Sequence, residues 1–161
     1  MNDIYPLNVT DISGNEQALS HWRGQVLLIV NTASQCGFTP QYQALQKIHQ
    51  QYQAQGFSVL AFPCNQFGAQ EPADNAEIQA FCQTHFQVSF PLFAKIKVNG
   101  ADAAPLFKQL KAAAPGSLGS RAIKWNFTKF LLRRDGTVFR RYGPLTSPTA
   151  ISADIEQLLA E

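Results

Sequence analysis

Cys36 stands where sulfur chemistry is easiest to support. It lies in NTASQCGFTP, between a short apolar run and the Thr39-Pro40 pair that opens a periodic segment. A thiolate near a helix N-terminus is stabilised by the macrodipole and by unpaired N–H groups, which raises the reactive fraction of the thiol. Gly37 leaves room for backbone amides to approach a bound group. The position also matches the carboxyl end of a strand, where open α/β sheets place their sites. A buried, inert cysteine fits the same position, and position alone leaves the two readings level. Cys64, in FPCNQF, ends a second apolar run; Cys82, in EIQAFCQTHF, sits on a helical segment beside Phe81. Core packing is the plain reading of both. No C-x-x-C occurs, and His21, His49 and His85 do not fall at ligand spacing around the cysteines, so neither a metal site nor a bound cofactor is expected.

The elements that must position Cys36 follow from periodicity. Residues 25–31 (QVLLIVN) and 57–62 (FSVLAF) are apolar, β-branched runs that read as buried strands. Between them Thr39 is the expected N-cap of a helix with Pro40 at its first position. Tyr42, Leu45, Ile48, His49 and Tyr52 fall on one face of that helix, and Gly56 ends it. Upstream, Ser13-Gly-Asn-Glu16 reads as a capping box opening a short helix through Trp22. Asp74 or Asn75 caps a helix with Ile78, Phe81, Cys82 and His85 along one side, and 92–98 (LFAKIKV) alternates like a strand. A further helix spans 102–114, with Pro105 in its first turn. Asp135-Gly136 then turns a hairpin within 129–142, and Ser147-Pro148 opens the last helix. Parallel strands with crossover helices followed by a hairpin imply a central mixed sheet flanked by helices, an α/β fold.

The 161 residues fit one domain spanning 1–161, and 45% hydrophobic residues including 12 Phe are enough for a sizeable core. A net charge of +2 is too small to argue for nucleic acid, and the Arg133, Arg134, Arg140 and Arg141 cluster reads as the solvated face of the hairpin. The first residues show neither the basic nor the apolar stretch of a secretion signal, and the run 26–30 is too short for a membrane span. A cytoplasmic location is therefore expected, and an odd number of cysteines agrees with a chain lacking a disulfide framework.

Three segments carry a resemblance. NTASQCGFTPQY, LAFPCNQFGAQEP and IKWNFTKFL resemble the signature blocks of the glutathione peroxidases, in that family's order and spacing. The likeness runs over nearly the whole chain. It implies a thioredoxin-like fold and a peroxidase in which Cys36 replaces the selenocysteine of some members. It carries the rest of the catalytic tetrad onto Gln70, Trp125 and Asn126. All three are neutral N–H donors, suited to favour a thiolate, hold a peroxide and stabilise charge developing on the leaving oxygen. Cys82 matches the resolving cysteine of fungal and bacterial members, which implies a Cys36–Cys82 disulfide and recycling by thioredoxin, with glutathione as the other reductant. That disulfide requires the Cys82 helix to unwind locally, with its first turns, 74–81, weakly held. Cys64 reads as structural or as a backup thiol, since members commonly carry a cysteine there without a required redox role, and His85 reads as solvated or packed rather than as a catalytic base. The short stretch 112–124 (AAAPGSLGSRAIK) resembles members without the tetramer-forming insertion, which implies a monomer. Two rival readings are a sensor that passes oxidation from Cys36 to a partner protein by a mixed disulfide, and a redox-silent binding module.

Overall fold

The computed structural model describes residues 3–161. Strands β3 (Val26–Thr32) and β4 (Phe57–Pro63) are buried along their whole length. Side chains alternate across a strand, so such runs need cover on both faces. Val26, Leu28 and Val30 point into one core with α1 (Gln41–Tyr52) and α4 (Ser152–Leu159); Leu27 and Ile29 point into the other with α3 (Pro105–Ala113). α2 (Asn75–Phe86) joins the first core through Ile78 and Cys82. The sheet order is β4-β3-β5-β6, with β5 (Lys129–Leu132) and β6 (Val138–Tyr142) forming the expected hairpin. β3 and β4 run parallel, and β5 is antiparallel to β3. This is the expected mixed sheet flanked by helices. No helix among the described residues is long and apolar enough to cross a membrane.

Three local expectations fail, each because a side chain bonds to backbone groups other than those the expected element calls for. The capping box at Ser13 is instead the turn of a small hairpin, β1 (Asn8–Thr10) with β2 (Glu16–Ala18). Asp11 accepts from the amides of Ser13 (3.0 Å) and Asn15 (2.9 Å), and Gly14 takes φ +91°, so only a single 3₁₀ turn, Leu19–Trp22, follows. These bonds, with that from Gln17 first among them, also hold the Asp11 carboxyl below its ordinary range.

The expected strand at 92–98 reduces to isolated bridges, Ala61 with Leu92 and Asp11 with Phe93. Beyond them the Lys95 amide donates to Asn75 Oδ1 (3.0 Å) and the Val98 amide to Gln66 Oε1 (2.7 Å). Thr39 does not cap α1 either. Its hydroxyl accepts from the Cys36 amide (2.9 Å) and donates to Ala33 O (2.9 Å), folding the loop before the helix onto itself.

Candidate active site

Sheet register brings the three blocks to one end of the sheet. Thr32 pairs with Pro63, so the loops leaving β3 and β4 start side by side; Val30 pairs with Lys129, which sets residues 126–128 beside the end of β3. Asn31 secures this junction. Its carbonyl accepts from the Phe127 amide (2.7 Å), and its Nδ2 donates to Trp125 O (3.2 Å).

Cys36 is 7% exposed, at the surface end of the first core. The Thr39 hydroxyl closes its loop, and the Phe38 amide points at the sulfur, 3.3 Å from Sγ. The neighbouring Gln35 amide donates to Gln70 O (3.0 Å), which ties the Cys36 loop to the second block. Asn126 Nδ2 then donates to Gln70 Oε1 (3.0 Å). That bond uses the Gln70 acceptor and leaves its Nε2 hydrogens for another partner. The Trp125 ring lies over Gly68, where an added Cβ would come within 3.2 Å of it. It touches both cores and tilts against Phe67, with ring centroids 5.9 Å apart. Gln70 and Trp125 are half-buried, whereas Asn126 is wholly buried.

The blocks are aimed by strained backbone. Ala69 (φ +50°) and Phe127 (φ +62°) occupy the left-handed region, each directly beside a donor residue. Non-glycine residues there cost about 1–3 kcal/mol each and persist where the surroundings over-determine them. Neither residue type signals such a conformation in a sequence. Glu71 was equally silent. Its buried carboxylate accepts from Ser34 Oγ, two positions before Cys36, while its amide donates to Asn65 Oδ1 (2.9 Å). Burial pushes the Glu71 carboxyl up, against the opposing effects of Ser34 and Lys95.

Cys82 shares the Cys36 core but is fully buried, and both thiols are free. Burial pushes the Cys82 thiol up to about 11; the Tyr42 hydroxyl opposes this and the Glu71 carboxylate adds to it. Cys64 lies in the opposite core, donates to Gln66 Oε1 (3.6 Å), and its thiol is also raised by burial. His85 is exposed and stacks on Phe81 at 4.4 Å, so only Ile78 and Cys82 of α2 are buried.

Lys129, within the third block, is fully buried and donates to the carbonyls of Gly143 (3.4 Å), Pro144 (3.3 Å) and Thr146 (2.6 Å). Burial lowers its ammonium to about 7. An unfolded lysine keeps its proton to about 10.4. Below pH 7 both states hold the proton and the burial cost is present in full. From there up to about pH 10 the unfolded chain alone holds it, so stability rises with pH, by at most about 1.4 kcal/mol per unit. Lys129→Met should remove this contribution. Chemical denaturation at pH 7, 8 and 9 should show a shallower rise than in the parent, and equal slopes would count against a neutral buried amine.

Comparison with known proteins agrees with this architecture. The glutathione peroxidase family model matches residues 4–111. The hydroperoxy fatty acid reductase of Synechocystis is 55% identical, over 98% of this chain and 96% of its own length. The crystal structure of Trgpx in apo form superposes with a TM-score of 0.84 at 42% identity, covering 99% of this chain and 96% of that one. A thioredoxin family thiol:disulfide interchange protein from Chlorobium tepidum, 14% identical with a TM-score of 0.67 over 95% of this chain and 92% of its own, shares the fold alone. With its thioredoxin-like fold and a family match over residues 4–111, which takes in the first two blocks and Cys82, the chain belongs to the glutathione peroxidase family.

Proposed function

We propose that the chain is a thiol peroxidase that reduces hydrogen peroxide and organic or lipid hydroperoxides through Cys36. The observation that carries this is the clasp of the Cys36 loop, with the Phe38 amide on Sγ, against the hydrogen-bonded pair Gln70 and Asn126. A neutral donor on the sulfur, with further neutral donors on the loop clasped against it, suits a reaction in which negative charge moves from the nucleophile to the leaving oxygen. The Cys36 thiolate attacks one peroxide oxygen. The S–O bond forms, the O–O bond breaks, and the departing alkoxide or hydroxide takes a proton to leave as alcohol or water. Gln70 Nε2, Trp125 Nε1 and Asn126 act as the donors along this path.

Cys82 then attacks the Cys36 sulfenic acid. Its S–H proton and the sulfenic hydroxyl leave as water, and the Cys36–Cys82 disulfide forms. A thioredoxin dithiol reduces that disulfide and is itself oxidised, in preference to glutathione. The name of the Synechocystis relative points to fatty acid hydroperoxides, and these are assigned here as substrates beside small peroxides. The chain is assigned as a single-domain monomer working in the cytoplasm, where reduced thioredoxin is available and free thiols persist.

A steady-state assay with thioredoxin or glutathione as donor, against hydrogen peroxide, cumene hydroperoxide and a fatty acid hydroperoxide, tests the assignment. Thioredoxin should support turnover about tenfold or more faster than glutathione at equal thiol concentration. The reverse order would overturn the reductant, and failure of both donors with every peroxide would overturn the activity.

A further inference from the structure

Where the expected strand at 92–98 is missing, two side-chain amides connect the blocks instead. Gln66 Oε1 accepts from the amides of Val98 (2.7 Å) and Asn99 (3.0 Å), and Gln66 Nε2 donates to Asn99 O (3.0 Å). Asn99 then pairs with Ile123 as one strand pairs with another: its Nδ2 donates to Ile123 O (2.8 Å) and its Oδ1 accepts from the Ile123 amide (2.9 Å). The Lys111 ammonium anchors the centre of this ladder, donating to Val98 O (2.5 Å) and Asn99 Oδ1 (3.1 Å). Ile123 is buried two positions before Trp125. The Gln66 segment thus meets Trp125 twice, once through Phe67 and Gly68 against the ring, and once through Asn99 on the backbone leading to it.

We infer that Asn99 is a positioning residue for the peroxidase reaction, holding the chain before Trp125 so that the indole faces the Cys36 loop. This rests on the thiol peroxidase reading above. Asn31 and the Thr128 hydroxyl fix the Trp125 carbonyl from the far side; on the near side Arg141 holds the carbonyls of Arg121 (3.1 Å) and Ala122 (2.6 Å), and the Ile123 pairing is the restraint nearest the indole. An amide at position 99 supplies both the donor and the acceptor of that pairing; an Asp supplies only the acceptor, and an Ala neither.

The chain has two tryptophans, so Trp22→Phe leaves Trp125 as the sole indole reporter. In that parent, Asn99→Ala and Asn99→Asp are compared by acrylamide quenching of the reduced protein and by the single-turnover rate of Cys36 oxidation with hydrogen peroxide. Asn99→Ala should raise quenching and slow oxidation between about tenfold and a hundredfold, the scale of an ångström of misplacement, with Asn99→Asp between it and the parent. Unchanged quenching, or either signal moving without the other, would overturn the inference. If Asn99→Ala does not fold, Asn99→Asp is judged alone, and parental quenching and rate in it overturn the inference equally. A parent that consumes no peroxide would instead sink the peroxidase reading, while the quenching series still decides whether Asn99 holds Trp125.

Discussion

Cys36→Ser should bring peroxide turnover to solution background, a loss of at least about 10³-fold. A hydroxyl needs a neighbouring base to become a nucleophile at neutral pH. The polar groups bonded to residue 36 are the Phe38 amide on its sulfur and the Thr39 hydroxyl and amide on its backbone, and none is a base. The other two thiols offer no substitute. Cys64 lies in the opposite core, and Cys82 is held as a thiol with its pKa pushed up to about 11. The serine hydroxyl accepts the same amide hydrogen as the sulfur and differs little in volume, so stability should change by less than about 1 kcal/mol. Peroxide consumption in a coupled thioredoxin assay, beside a thermal melt of the same sample, separates lost chemistry from lost fold. Substantial turnover in a folded Cys36→Ser protein would move the nucleophile elsewhere.

What can be read before folding differs sharply between the scaffold and the site. The apolar runs of β3 and β4 and the Asp135-Gly136 turn declare themselves through composition and spacing, because burial on both faces demands such runs. The meeting of Gln70 with Asn126 is invisible to periodicity. It depends on the register of β3 with β5 and on left-handed backbone at Ala69 and Phe127, residue types that advertise nothing of the kind. Those positions were legible only through long motifs resembling a family. The local failures share a physical source. Thr39, Asp11 and Gln66 can each bond either to their own segment or across space, and tertiary structure decides which. The alternation of LFAKIKV was genuine, but Asn75 and Gln66 side chains satisfy the amides that a strand would have paired.

The Cys82→Ser protein should complete one reduction with each fresh portion of Cys36 thiolate and then stop, holding Cys36 as sulfenic acid or a more oxidised form. The expected burst is one equivalent of peroxide, followed by thioredoxin-supported turnover reduced at least about 10²-fold. Mass spectrometry with a sulfenic-acid probe reads the stalled species directly, and an undiminished steady state would show that Cys82 is not the resolving thiol. The proposed pairing adds a kinetic step. Cys82 is wholly buried, and a local detachment of α2 that carries its sulfur to Cys36 also removes the burial and the Glu71 charge that keep it protonated. A return toward the ordinary thiol pKa of about 8.5 raises the thiolate fraction by between two and three orders of magnitude, so roughly the same motion delivers and activates the nucleophile. Asp74 is one of the groups that hold α2: its carboxylate accepts from the Glu77 amide (2.9 Å), beside the Lys95 amide on Asn75 Oδ1 and the packing of Ile78, Phe81, Cys82 and Phe86. Removing such a cap costs about 1 kcal/mol. Asp74→Ala should therefore speed closure of the Cys36–Cys82 disulfide by up to about fivefold, leaving the preceding oxidation of Cys36 unchanged. If closure slowed instead, an intact α2 would be the competent state, and the disulfide would have to form without unwinding.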